Sequence, residues 1–289
     1  GWTTSTKAFN ASIINKGNIS VENAGKGTTV SSKSMIHAFF INMGGIVAKK
    51  TKAGAVTNCT NSAAITYTTT DTAVGKNTYL GGIVGDIESV ASDVAYCSNN
   101  GAISFINNGT TEVFGGVGGV VGNYYIGNTH MTDCVNEGAL TLSGALKNDS
   151  CIGGLAATNI NSFVGCKSLG SITLNNTGSS TAIIGAIGGR LNNTSCTWNG
   201  LEINCAVNYN EGNNVFGLLQ GDTWLTTASA TVGAVTPCVV KSTTTVNGEA
   251  VTAAQLAERS FLVGRDQKVV DGTLTESSFV IAEGGLILE

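Results

Sequence analysis

The chain has 289 residues, of which 39 are Gly, one is Pro, 12% are charged and 6% aromatic, and its formal charge is −4. With 42% apolar residues it can build a core, which excludes disorder. Its 15 Lys+Arg are not gathered into the basic footprint of a nucleic-acid binder, and no apolar stretch approaches the ~20 residues of a membrane span.

In chain order, Gly1-Trp2 opens the sequence without Met or a charged-then-apolar leader, so a processed or shortened chain whose targeting segment is missing is expected. Ile13-Ile14-Asn15-Lys16-Gly17-Asn18-Ile19-Ser20 is the first copy of a repeat. A Gly-Gly-Ile-Val-Gly type segment then starts at Gly44, Gly81, Gly118 and Gly153, with weaker copies at Gly185 and Gly217; the spacings are 37, 37, 35, 32 and 32 residues. In phase with it runs Cys-x-Asn-x-Gly-x-Ile-Thr, starting at Cys59, Cys97, Cys134 and Cys166, with a degenerate copy at Cys196. Two motifs in fixed order define a repeat too regular for chance.

Each unit holds short β-branched bursts separated by Gly, Asn, Ser and Thr, with no sustained helical period. One strand is expected at Gly-Gly-Ile-Val, one ending at the Cys, and one at Gly-x-Ile-Thr. The Asn-x-Gly between the last two is expected to form a left-handed corner. A unit of ~35 residues cannot bury its own apolar face, so units must stack. The fold class is therefore all-β, a parallel β-solenoid of about six to seven coils, a right-handed β-helix by precedent. Ladders are expected at Ile46, Ile83, Val120, Leu155, Ile187 and Leu219; at Ile19, Ile65, Ile103, Leu140 and Ile172; and at Cys59, Cys97, Cys134, Cys166 and Cys196. The polar stretches 67–72, 107–111, 147–150 and 175–180 should project from one edge of the rod.

Two regions follow: 1–235 as the repeat array and 236–289 as a C-terminal cap. In the cap, Thr252 and Gln255 predict the capping box of a short helix. Val269 to Leu274 reads as a hairpin turning at Asp271-Gly272, and Phe279 to Leu288 as a second hairpin.

On these residues the array resembles the GLUG-type repeats of large surface proteins of gut Bacteroidetes and some Firmicutes. The resemblance rests on the Gly-Gly-Ile-Val-Gly segments, the Asn-Cys or Tyr-Cys followed by Asn-x-Gly-x-Ile, and the stretch from Cys238 to Gln255. It covers roughly residues 10–260. It implies a secreted or lipid-anchored module of an adhesin, or of a multidomain enzyme whose catalytic residues lie in another domain.

The chemistry-bearing residues are few. Stacked thiols lie ~4.8 Å apart, more than a disulfide's ~3.8 Å Cβ separation, so the Cys ladder reads as buried thiols, while Cys151, Cys205 and Cys238 fall off it and are open to pairing. His37 and His130 sit in different units without a nucleophile motif nearby. Asp86, Asp93, Asp133, Glu137 and Asp149 occupy different repeat positions and do not converge. Gly115 to Gly119 lacks the Lys-Ser/Thr of a phosphate loop. Neither a catalytic residue, a cofactor nor a metal site is expected.

The candidate binding residues are the aromatics outside the ladder slots, Tyr124, Tyr125, Trp198 and Trp224, whose rings could stack on sugars. The leading expectation is a monomeric, non-enzymatic cell-surface or secreted module that offers one edge to a glycan or a host or matrix protein, with no nucleic-acid partner and an upstream lipid anchor compatible with it. The alternatives are a carbohydrate-active β-helix enzyme, a polysaccharide lyase or hydrolase, and the stalk of a larger surface enzyme.

Overall fold

The computed structural model describes residues 2–3, 13–17, 19–23, 40–51, 53–70, 77–88, 91–124, 129–158, 160–191, 195–224, 229–270, 273–276 and 278–289. It is mostly β, with parallel strands stacked in register as a β-solenoid. One coil shows the plan: Asn77–Gly81, Val84–Ile87, Val94–Ala95, Ser98–Asn99 and Ile103–Asn107 follow one another, and each pairs in parallel with its equivalent in the coils before and after. These five strands belong to five sheets, here numbered 1 to 5 in that order. They hold six, nine, seven, eight and eight strands among the described residues. Eight strands at ~4.8 Å make a stack roughly 34 Å long.

The Gly-Gly-Ile-Val segment, expected as one strand, is instead the corner between sheets 1 and 2. Gly81 ends one strand, Gly82 and Ile83 turn, and Val84 starts the next. The apolar residue of the corner still forms the expected ladder: Ile83, Val120, Leu155, Ile187 and Leu219 are buried, and Leu262 extends the row in the last coil. The Ile65, Ile103, Leu140 and Ile172 ladder also forms, running from Ile19 on to Val207 and Val246. Sheet 3 contributes Val56, Val94, Met131, Phe163, Trp198 and Val232 to the same core.

The left-handed corner lies elsewhere than expected. Positive φ falls on the residue before the Cys slot, at Asn58, Tyr96, Asp133, Gly165 and Gly200. The Gly of Asn-x-Gly is required by close approach: a Cβ on Gly101 would overlap the Ala63 carbonyl oxygen, and one on Gly138 that of Gly101. The second Gly of Gly-Gly is tight for a related reason, because a Cβ on Gly82 would overlap the Asn99 side chain and the Gly119 carbonyl. Both motifs therefore meet at one place, a buried Asn.

That Asn forms a hydrogen-bonded ladder. Asn15 donates to Asn61 (3.0 Å), Asn61 to Asn99 (2.8 Å) and Asn99 to Asn136 (2.8 Å), always Nδ2 to Oδ1. Each Nδ2 of Asn61, Asn99 and Asn136 also donates to a carbonyl two residues on, at Ala63, Gly101 and Gly138. A planar amide with donors on one side and an acceptor on the other can repeat this pattern indefinitely along the axis. The row ends at Ser168, whose hydroxyl faces Cys205 (3.9 Å).

The Cys ladder is corrected at its far end. Register places Ile13, Cys59, Cys97, Cys134, Cys166, Leu201, Cys238 and Leu286 in one row, so Leu201 takes the slot expected for Cys196, and Cys238 is on the ladder. Cys196 lies in sheet 3 opposite Ala230. All eight thiols are buried and none is in a disulfide. The Sγ of Cys97, Cys134 and Cys166 reach carbonyl oxygens of their own and the preceding coil at 3.3–3.6 Å. Burial pushes Cys151 and Cys205 up to about 12, and raises Cys196 and Cys238 as well.

Beyond residue 236, parallel pairing runs on through Cys238–Val240 and Thr245–Val246 before the chain turns back at Glu249–Ala250. Helix α1 (Ala253–Leu256) has the expected capping box between Thr252 and Gln255. Helix α2 (Arg259–Leu262) leads into Val263–Val270, which returns to sheet 2 and pairs antiparallel with Thr273–Glu276. The expected second hairpin does not form: Ser278–Ile281 joins sheet 3 and Leu286–Leu288 joins sheet 4, both parallel, because their apolar residues continue the ladders of those sheets.

Replacing Asn99 by Ala removes the middle of the amide ladder and strands its buried partners. The expected cost is about 2–4 kcal/mol in urea unfolding, against less than about 0.5 kcal/mol for Asn100→Ala, whose side chain is exposed.

Candidate functional site

The residue directly after each Gly-Gly-Ile-Val-Gly copy faces its equivalents along sheet 2. The row reads Lys49, Asp86, Asn123, Thr158, Arg190, Asp222 and Arg265. It is a polar seam. Asn123 Nδ2 donates to Asp86 Oδ1 (2.8 Å), the Thr158 hydroxyl donates to Asn123 Oδ1, and Asn42 of sheet 1 donates to Asp86 Oδ2 (3.3 Å). Burial raises the Asp86 carboxyl, opposed by the Asn123 hydrogen bond and the Lys49 charge. Lys49 itself pairs with Glu88 at 2.9 Å.

At the C-terminal end of the seam four charged groups converge. Arg265 reaches Asp222 twice, Nε to Oδ1 at 3.0 Å and Nη2 to Oδ2 at 2.6 Å, and Asp149 Oδ1 at 3.2 Å. Arg190 spans the same pair, Nη1 to Asp149 Oδ2 at 3.3 Å and Nε to Asp222 Oδ2 at 3.5 Å. The Asp222 side chain is 1% exposed, while the other three are 21–23% exposed. Hydrogen bonding to Asp222 raises the Arg265 guanidinium further. Asp149 is delivered to this place from the turn between sheets 5 and 1, with φ of 66°. The two carboxylates thus lie between two guanidinium groups, an arrangement that holds coils together.

Of Asp86, Asp93, Asp133, Glu137 and Asp149, expected not to converge, Asp149 meets Arg190, Asp222 and Arg265, and Asp86 stands in the same row of sheet 2. Arg190, Asp222 and Arg265 were legible: each follows directly in the row after the motif's small residue, and aligning on that position would have shown the seam. Asp93 pairs instead with His130 on sheet 3 (3.1 Å), with both side chains over half exposed. His37 lies outside the described residues.

The aromatic candidates are not brought together on a surface. Tyr124 and Trp198 are fully buried, Tyr124 in sheet 2 and Trp198 in the sheet 3 ladder with its ring 5.9 Å from that of Phe279. Rings enclosed in the core cannot stack on a sugar. Tyr125 and the side chain of Trp224 lie outside the described residues. An aromatic that was passed over is Tyr96, 60% exposed with φ of 55°. Its sequence signal is the departure from Asn58, Asp133, Gly165 and Gly200, residues that accept this conformation more readily.

The expected loop edge is real among the described residues: 108–113, 145–149, 177–181 and 210–213 all connect sheet 5 to sheet 1. Glu112 binds it across two coils. Its Oε1 accepts from the Ser179 N–H (2.7 Å), the Ser179 hydroxyl (2.9 Å) and the Ser180 N–H (3.0 Å), and its Oε2 from the Ser180 hydroxyl. These bonds, the Ser180 hydroxyl first, hold the Glu112 carboxyl below its usual range.

Among the described residues no group of three or more His, Cys, Asp and Glu is arranged to hold a metal ion, and no helix is long and apolar enough to cross a membrane. No family model matches the chain, and no curated protein or solved structure matches it.

Asp222→Ala leaves two guanidinium groups facing each other, and a loss of about 3 kcal/mol is expected in urea unfolding, against about 1 kcal/mol for the more exposed Asp149→Asn. Glu112 contributes its stability above the ordinary Glu pKa of ~4.3, and that contribution is lost as pH falls through its lower folded value. Wild type should therefore exceed Glu112→Gln in melting temperature at neutral pH, and the gap should close below about pH 4.

Proposed function

We propose that the chain is a rigid cell-surface or secreted module of GLUG-repeat kind, serving adhesion or spacing and carrying no catalytic centre of its own. The observation that carries this reading is the mutual pairing of Asp149 and Asp222 with Arg190 and Arg265. Catalytic carboxylates work as acid, base or nucleophile with an orbital turned to substrate, and here the oxygens are engaged by guanidinium donors. The repeat directs its other specified residues, Gly, Asn, Cys and Ile, to stacking. A polypeptide built this way offers long, fixed faces at modest sequence cost, which suits presentation or contact over distance.

One observation favours a second reading, a carbohydrate-active β-helix: two carboxylates and two guanidinium groups do gather at a partly open place beside the loop edge.

Both readings meet one experiment. The purified chain is applied to an array of glycans and matrix proteins, and separately incubated with a polysaccharide panel while new reducing ends and unsaturated products are followed. Saturable binding without product is expected. Product formation that disappears in Asp149→Asn would replace the proposal with the enzymatic reading.

A further inference from the structure

We propose that the outer face of sheet 4 is the contact between two copies of this chain, laid antiparallel about a two-fold axis between the strands Val135–Asn136 and Lys167–Ser168, the fourth and fifth of its eight. This goes beyond the adhesive reading and does not depend on it.

The exposed large apolar side chains point to this side of the rod. Among the described residues they are Ile14 and Ile287 on sheet 4, Tyr96 and Val235 in the corner between sheets 3 and 4, and Val164 and Val280 on sheet 3. None lies on sheets 1, 2 or 5. Apolar side chains gathered on one side mark a contact surface.

The occupant follows from the order of residues along the face. The outward row of sheet 4 begins at Ile14, ends at Ile287 and has Val135 and Lys167 at its centre. Turned end for end onto itself, it sets Ile14 on the partner's Ile287, Thr60 on the partner's Val239, Ser98 on the partner's Glu202 and Val135 on the partner's Lys167. The corner row beside it sets Tyr96 on the partner's Gly200 and Asp133 on the partner's Gly165, so a ring and a carboxylate each face a residue without a side chain. On the other side runs the row that follows the Asn ladder. It sets Lys16 on the partner's Glu289 and Glu137 on the partner's Leu169.

The charges also match across the axis. Lys167, which is exposed, comes between the partner's Asp133 and the partner's Glu137, and Lys16 meets the partner's Glu289, each contact occurring twice by symmetry. Among the described residues of the three rows no like charges face each other. Lys167 and Lys241 already hold Glu202 (2.8 Å) and Glu289 (2.6 Å) within their own copy, so the second copy joins existing pairs into networks. Charge arranged in this way selects the partner and the register. Eight strands at ~4.8 Å and four residue steps of ~3.3 Å span about 34 by 13 Å, or roughly 900 Å² over both copies, the size of a weak, dissociable contact.

The test uses the full chain with single outward Cys residues, since the native thiols are buried. Ile14→Cys, Ile287→Cys and, on the sheet 5 face, Thr66→Cys are oxidised with copper phenanthroline, alone and in mixtures. Light scattering follows wild type, Lys167→Glu and Lys167→Glu/Glu137→Lys over about 1–500 µM, a range suited to a contact of this size, and melting curves establish that each variant is folded. The mixture of Ile14→Cys with Ile287→Cys is expected to give disulfide-linked pairs of chains, and neither variant alone nor any mixture with Thr66→Cys to do so. Wild type is expected to dimerise with rising concentration, Lys167→Glu to weaken the dimer at least tenfold, and Glu137→Lys to restore it. A chain that stays monomeric throughout, linkage of Ile14→Cys to itself as in a parallel pair, equal linkage to Thr66→Cys, or a dimer indifferent to Lys167→Glu would each overturn the proposal. Adhesion, read on the array of glycans and matrix proteins, stands or falls separately.

Discussion

Residues one coil apart occupy the same place on the rod, so each side chain has its own equivalents as neighbours, ~4.8 Å above and below. This in-register stacking selects side chains that tolerate company of their own kind. Aliphatic residues do so in the Ile ladders, thiols do so at the Cys slot, and Asn does so best because its amide donates to one neighbour and accepts from the other. Like charges in register repel, which explains why a chain of this size is only 12% charged. Where charge does enter a row it alternates in sign: Lys49 beside Asp86, Arg190 beside Asp222 beside Arg265, Lys167 beside Glu202.

The same constraint accounts for many of the described glycines and for the place of the single Pro. At Gly82 and Gly101 the backbones of successive coils and the Asn amides come so close that no Cβ fits. Pro237 falls in a corner between sheets 3 and 4, outside any strand, where no ladder amide is lost.

Much of the fold was legible because stacking writes itself into sequence as a period. The Ile ladders and the Thr252–Gln255 cap could be read directly. The misreadings have a physical origin in the irregular coils. Cys196 falls in sheet 3 because the fifth coil places Leu201 after its left-handed Gly200, and only the corner, not the Cys, marks the register there. Trp198 and Tyr124 stand among the candidate binding residues because no repeated letter marks them as core: their rows mix sizes, Val94, Met131 and Phe163 preceding Trp198. The charged seam is legible by position alone, because its row has no repeated residue, running Lys, Asp, Asn, Thr, Arg, Asp and Arg; Asp149 joins it from a turn in another part of the repeat, which only three-dimensional register shows.

The account stands or falls on that register. Spin labels attached at Thr66→Cys and Asn208→Cys, outward positions that are four coils apart on sheet 5, would measure it, since the native thiols are buried and take no label. Stacking predicts a single narrow distance distribution near ~19 Å between the labelled backbones, widened only by the label arms. A broad distribution, or one centred at twice that separation, would contradict a stack in which every coil advances by one strand spacing.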